Sequence, residues 1–210
     1  MKSAGPLRLM VYDRTCTGRS GLPGLSHAWV SGALLYRGLR RFDATLGVSS
    51  WEQALDWLAT VGGGASIASV QFWGHGKWGE ARVGADVLGS AALAPTSPLF
   101  PRLQAIRERL LPDAASLWWF RTCETLGAVP GQEFARRFSE GMNARVAGHT
   151  YIIGPWQSGL HSLAPGETPG WSPEEGLLEG TATAPSRARW SRRGEPNTVH
   201  FLQGKLPADY

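Results

Sequence analysis

The chain has 210 residues, of which 42% are hydrophobic and 18% charged, a balance that is ordinary for a globular protein and argues against global disorder. Its net charge of +4 comes mainly from arginine, and no apolar run approaches the about 18 residues that a membrane span needs. The first residues lack a signal-peptide core, so we expect one cytoplasmic domain without a membrane partner.

The first part of the chain predicts strands that alternate with helices. Apolar residues at 7–12 predict a strand, which a Gly-rich turn at 18–24 connects to a helix at 26–37. An alternating pattern predicts a second strand over 39–46. A capping signal at Ser49 and Ser50 predicts a helix over 51–60, and three glycines end it.

The rest of the chain continues this alternation up to a loop-rich segment. The sequence predicts strands at 67–73, 116–121 and 145–153, a hairpin at 80–88, helices at 98–111 and 132–143, an irregular segment at 163–196, and a C-terminal strand and tail at 197–210. Strands alternating with helices predict an α/β domain with a mostly parallel sheet covered by helices on both faces.

Two of the predicted strands end abruptly on reactive side chains. The strand at 67–73 runs into Gly74-His75-Gly76, and the strand at 116–121 runs into Thr122-Cys123-Glu124-Thr125. Residues just past the carboxyl ends of parallel strands line the ligand crevice of an open sheet, so we expect His75 and Cys123 to lie side by side. A Cys beside a His is the minimum unit for nucleophilic catalysis, because the imidazole can take the thiol proton.

At these two motifs the chain resembles the caspase-like cysteine peptidases, and most of all their bacterial CHAT-type branches and related domains of unassigned function. The 48-residue separation of His75 and Cys123 is close to the roughly 50 residues of caspases. The likeness covers about residues 7–158. The chain departs from caspases proper, which carry Gln-Ala-Cys-Arg-Gly, and Leu126 separates Thr125 from Gly127 where CHAT-type sequences place the glycine directly.

The resemblance implies a caspase-like three-layer sandwich and a thiol protease that hydrolyses peptide bonds without a cofactor. In such an enzyme Cys123 is the nucleophile and His75 the general acid and base. The backbone N–H groups of Gly76 and Cys123 would hold the oxyanion of the tetrahedral intermediate. The partner is then a protein or peptide substrate.

Residues after the first strand and after the strand at 145–153 are expected to border the substrate cleft, by family position. They are Asp13, Arg14, Trp156, Gln157 and Ser158. Arg14 would select an acidic side chain beside the scissile bond, whereas Asp13 or Asp86 would select a basic one. The sequence does not decide between these preferences.

The sequence leaves three other functions to compare with a peptidase. A non-catalytic caspase-like scaffold in a larger protein assembly fits the small size and the missing activation linker. A zinc site is not favoured, because no C-x-x-C or H-x-x-x-H pair is present. Nucleic-acid binding by the arginines at 187–193 around Trp190 is not favoured either, since a basic loop is most often a solvated surface.

Overall fold

The computed structural model describes residues 5–18, 24–112 and 114–207 of the chain. Within these residues the α-helices are α1 (Leu25–Gly38), α2 (Trp51–Thr60), α3 (Phe100–Arg107) and α4 (Ala128–Met142). The strands are β1 (Leu7–Asp13), β2 (Ala44–Val48), β3 (Ile67–Trp73), β4 (His75–Lys77), β5 (Glu80–Val83), β6 (Asp86–Gly89), β7 (Ala114–Arg121), β8 (Ala144–His149), β9 (Trp156–Gln157), β10 (Leu160–Leu163), β11 (Leu177–Gly180), β12 (Pro185–Ala188) and β13 (Val199–His200).

Six strands form a central sheet in the order β10-β8-β7-β3-β1-β2. The five strands from β2 to β8 in this order pair in parallel, and β10 pairs antiparallel with β8 at the edge. This arrangement confirms the predicted α/β class with a mostly parallel sheet. The chain moves from β1 to one neighbour, β2, and later to the other neighbour, β3, so the topological switch point lies between β1 and β3.

Helices cover both faces of the sheet because alternate strand residues are apolar on each side. On one face, strand residues such as Val70, Phe72 and Trp118 pack in one core with residues of α2, α3 and α4. On the opposite face, Met10 and Trp73 pack with Ala33 and Tyr36 of α1. Trp119 packs beside them under Val199 and Leu206, so the segment 199–206 completes this second layer.

The ends of several elements differ from the sequence prediction. The predicted strand at 39–46 is wrong at its start: Arg40 has a φ of 53° and the Arg41 N–H bonds to the Tyr36 carbonyl, so the chain is still turning there and β2 begins at Ala44. Helix α3 covers only Phe100–Arg107, because Leu110 then pairs with Ile67. The predicted irregular segment also holds a hairpin, β11–β12.

One further difference concerns the helix that follows the second motif. Helix α4 begins four residues before the predicted start, since Pro130 lies in its first turn, where a proline costs no hydrogen bond. It ends at Asn143, whose φ of 48° is the left-handed conformation of a helix C-cap. The Gly-rich turn predicted at 18–24 lies largely outside the described residues.

Candidate active site

His75 stands at the point where β3 leaves the central sheet. Strand β3 is buried through Trp73, and after Gly74 the chain enters β4, which pairs antiparallel with β5 so that His75 lies opposite Arg82. The imidazole is exposed, and its ring forms a T-shaped contact with the Trp29 indole, with 5.5 Å between ring centroids. His75 is therefore accessible from solvent and is oriented by an aromatic neighbour on α1.

Cys123 lies in a tight turn directly after β7. The turn is tied to the residues that follow β8, because the Glu124 N–H donates to the Tyr151 carbonyl at 2.9 Å and the Leu126 N–H donates to the His149 carbonyl at 3.0 Å. Inside the turn the hydroxyls of Thr122 and Thr125 are 2.6 Å apart. These bonds fix the backbone on both sides of the sulfur.

The two motifs pack directly against each other. A Cβ added at Gly76 would lie 2.6 Å from the Cys123 carbonyl oxygen and 2.2 Å from the Thr125 hydroxyl, so the absence of a side chain at 76 permits this approach. His75 and Cys123 also line one cavity of about 530 Å³. The cavity lies at the carboxyl ends of β3 and β7, next to the switch point, where open α/β sheets bind their ligands.

The electrostatics of this site keep the Cys123 thiol protonated. Burial raises the pKa of Cys123 to about 11; the nearby Glu124 carboxyl also raises it, while backbone hydrogen bonds from Ile153 and from Cys123 itself lower it. In the described chain no hydrogen bond joins the His75 ring to the sulfur. The free protein therefore holds a neutral thiol and not a preformed thiolate pair with histidine.

A second buried acid lies beside the sulfur. Glu124 is 8% exposed, has a φ of 33°, and one of its carboxyl oxygens, Oε2, is buried with no hydrogen-bond partner in the described residues. Desolvation raises the pKa of Glu124 to about 7, although the charge of Lys77 lowers it. The turn thus carries two groups that both favour their neutral forms.

The walls of the cavity come from α1 and from the loop after β8, and its floor contains Arg121. The guanidinium of Arg121 lies over the rings of Trp73 and Trp119, at 4.7 and 4.6 Å from their centroids. Its donors bond to the Gln157 side chain, the Tyr36 hydroxyl and the carbonyls of residues 201 and 203. Arg121 therefore ties the C-terminal segment to the edge of the cavity.

Of the residues expected to border the substrate cleft, Gln157 alone lines this cavity among those the structure describes. The Asp13 carboxylate is fully buried and accepts bonds from Thr15 and from the Gly84 N–H. Ser158 is also fully buried, and its hydroxyl contacts the Thr198 hydroxyl at 2.7 Å. Both side chains hold loops together.

The other expected cleft residues are exposed but lie away from the cavity lining. The Arg14 guanidinium is 3.4 Å from the Ser49 hydroxyl. Trp156 is 37% exposed and meets the His200 ring edge-on. Asp86, the alternative selector of a basic side chain, accepts a bond from the Trp51 N–H at 3.4 Å. None of these three contributes to the cavity that holds His75 and Cys123.

Sequence reasoning missed most of the cavity wall. Trp29 and Leu35 on α1, Pro155, and Phe201 near the C-terminus all line the cavity but are distant from both motifs in sequence. One residue in the sequence did indicate distant contacts at this site. Arg121 is a charged residue at the end of a buried strand, so its guanidinium needs hydrogen-bond partners from other segments. The wall residues carried no such signal, since tertiary packing alone brings them together.

Within 5–18, 24–112 and 114–207, no three His, Cys, Asp or Glu side chains cluster closely enough to hold a metal ion. None of the described helices has the length and apolarity needed to cross a membrane.

No protein-family model matches the chain, and searches of curated proteins and of solved structures find no match.

Proposed function

We propose that the protein is a cysteine endopeptidase of caspase-like type, with Cys123 as nucleophile and His75 as general acid and base. One observation carries this proposal: His75 and Cys123 line the same cavity at the carboxyl ends of adjacent parallel strands. The substrate would be a protein or peptide, and no cofactor is required for the chemistry.

In the proposed reaction the Cys123 sulfur attacks the carbonyl carbon of the scissile peptide bond. The thiol proton passes to His75, and a carbon–sulfur bond forms as the carbonyl oxygen becomes an oxyanion. His75 then gives the proton to the departing amine as the carbon–nitrogen bond breaks, leaving a thioester. Water, deprotonated by His75, hydrolyses the thioester and restores the thiol.

The oxyanion would be held by the backbone N–H groups of Gly76 and Cys123. Each preorganised donor of this kind is worth about 2.7–4 kcal/mol of barrier, so the backbone geometry of both motifs matters as much as their side chains. The packing of Gly76 against the Cys123 turn supports this assignment, because it fixes the two peptide units relative to each other.

Because the Cys123 thiol is protonated in the free protein, it would become a nucleophile only after a substrate binds. Because the pKa of Cys123 is about 11 and His75 makes no hydrogen bond to the sulfur in the described chain, proton transfer must be coupled to attack. Catalytic hydrogen bonds are often long in the free enzyme and tighten only when substrate binds. A substrate that excludes water beside His75 would bring the two groups together.

The same electrostatics favour a second candidate function, a non-catalytic caspase-like module that serves as a scaffold in a protein assembly. A thiol whose pKa is about 11 is a weak nucleophile at neutral pH. On this alternative the cavity binds a partner segment without cleaving it, and binding survives loss of the sulfur.

Cleavage of a peptide library tests the two candidates. For a peptidase, we expect cleavage by the wild type and a loss of at least 1000-fold in kcat/KM in both Cys123→Ala and His75→Ala, because each removes a group of the covalent mechanism. The matched control is Cys16→Ala, which removes the other free cysteine. Cleavage that persists in both active-site variants would overturn the peptidase proposal.

A further inference from the structure

We infer that the cavity beside His75 and Cys123 binds a bulky apolar side chain, Leu, Phe or larger, of the residue that supplies the scissile carbonyl. This inference rests on the proposed function and deepens it by naming the class of substrate. It is carried by the chemistry of the cavity wall and by the hydrogen bonding of Arg121.

The wall of the cavity is built mostly from apolar and aromatic side chains. They are Leu25, Trp29, Leu35, Trp73, Pro155 and Phe201. Three of them remain substantially exposed in the free protein: Leu25 is 51%, Leu35 is 45% and Phe201 is 41% accessible to solvent. A large apolar side chain placed between them would remove this surface from water, which is the main source of affinity in such pockets.

Arg121, the one arginine or lysine among the described residues that line this cavity, has no free donor for an acidic side chain. A guanidinium has five N–H groups, and Arg121 makes five hydrogen bonds, two to Gln157 Oε1 and one each to Tyr36, Phe201 and Gln203. The ring centroids of Trp73 and Trp119 also lie 4.7 and 4.6 Å from the guanidinium carbon. Arg121 therefore positions the cavity wall, and a substrate carboxylate could reach it only by breaking one of these bonds.

A basic side chain finds no counter-charge there either. No Asp or Glu is among the described residues that line the cavity, and the buried cation of Arg121 would repel a lysine or arginine. The charged side chains of Asp13, Arg14 and Asp86 do not line this cavity. The described wall therefore favours an apolar side chain over an acidic or a basic one.

The size of the cavity agrees with this class. Its volume of about 530 Å³ falls within the range of small-molecule sites, roughly 300–1,000 Å³, and holds an aromatic side chain with part of its peptide backbone. A hydrophobic pocket discriminates by roughly 10–200-fold for each methylene-sized step. We therefore expect at least about tenfold tighter binding of a Phe or Leu peptide than of its Ala counterpart.

The test uses peptides that differ only at one residue, which is Phe, Leu, Ala, Asp or Arg. Their binding to the full Cys123→Ala chain is measured by calorimetry, and their cleavage by the wild type is measured in parallel. We expect the order Phe or Leu above Ala above Asp and Arg in both measurements. A preference for Asp or Arg, or equal binding of all five peptides, would overturn the inference.

Two wall variants and one control locate the effect. Trp29→Ala and Leu35→Ala should each lower the Phe-over-Ala preference at least about fivefold, since each removes part of the wall. Leu34→Ala is the control, because Leu34 is 66% exposed on the same helix and does not line the cavity. Circular dichroism confirms that each variant is folded. An unchanged preference in both wall variants would contradict the proposed pocket.

The two measurements separate this inference from the proposed function. If the Phe and Leu peptides bind with the expected order but are not cleaved by the wild type, the pocket stands and the peptidase proposal fails. If peptides are cleaved with dependence on Cys123 but with acidic or basic preference, the peptidase proposal stands and the apolar pocket fails.

Discussion

The Cα of Gly76 faces the carbonyl oxygen of Cys123 so closely that a Cβ at position 76 would lie 2.6 Å from it. Contacts below 3.0 Å are not tolerated by real Cβ atoms, and here the opposing atom is backbone, which cannot rotate away. The absence of a side chain at Gly76 thus permits the close packing of the two candidate catalytic motifs.

Gly76→Ala should therefore lower the free energy of unfolding by about 1–3 kcal/mol, because the added methyl group must push β4 away from the Cys123 turn. Urea denaturation measures the change. Gly170→Ala is the matched control, since a Cβ at Gly170 meets nothing within 4 Å. If Gly76→Ala is as stable as that control, the close packing of the two motifs is wrong.

The thiol of Cys123 should react slowly with iodoacetamide at pH 7. With a pKa of about 11 its thiolate fraction is on the order of 100-fold or more below that of an ordinary cysteine, whose pKa is about 8.5. The rate should rise about tenfold per pH unit from pH 7 to 10, because the thiolate is the reacting form.

Mass spectrometry of the Cys16→Ser variant measures this rate without interference from the other cysteine. His75→Ala should leave the rate unchanged in the free protein, because no hydrogen bond joins the ring to the sulfur in the described chain. Rapid labelling at pH 7 that is lost in His75→Ala would instead reveal a preformed ion pair.

The sequence predicted the part of the site that depends on local patterns. His75 and Cys123 each end a short apolar strand, and the rule for parallel strands placed both at one edge of the sheet. In the structure both residues line one cavity. This prediction depended only on local patterns and on a general topological rule.

The rest of the site depended on packing between distant segments. Helix α1 was predicted from its periodicity, but nothing in that periodicity shows that the Trp29 and His75 rings form a T-shaped contact. The position of Phe201 depends on the bonds between Arg121 and a segment 80 residues later in the chain. The buried role of Asp13 was missed for a similar reason, since its partner Gly84 lies in the distant β5–β6 hairpin.

The Glu124 carboxyl should make the protein less stable as pH rises from about 4.5 to 7. Its pKa is raised to about 7 in the folded protein, whereas an unfolded glutamate titrates near 4.5, so the folded state binds more protons in this window. Stability from this group is therefore fully present below pH 4.5 and is lost as pH passes 7.

Glu124→Gln should accordingly raise the free energy of unfolding at pH 8 by about 1–3 kcal/mol and flatten its dependence on pH between 5 and 7. Chemical denaturation at several pH values measures both effects. Glu174→Gln serves as the control, because Glu174 is exposed. A destabilised Glu124→Gln at pH 8 would show that the charged carboxylate is favoured in the fold.

Arg121 should govern the attachment of the C-terminal segment. Its guanidinium bonds to the carbonyls of residues 201 and 203 and is buried, and this burial lowers its pKa. Arg121→Lys keeps a positive charge but loses the planar fork, so it leaves buried acceptors without donors and should cost about 2–4 kcal/mol of unfolding free energy.

Limited trypsin digestion followed by mass spectrometry provides a local readout of the same variant. Cleavage after Lys205 should become at least about tenfold faster in Arg121→Lys than in the wild type, because the segment around it opens more often when its carbonyls lose their donor. Arg14→Lys, an exposed Arg-to-Lys change, is the control and should leave the rate unchanged. Equal cleavage in all three proteins would mean that the segment is held by its apolar contacts with Trp119 and Leu160, and not by Arg121.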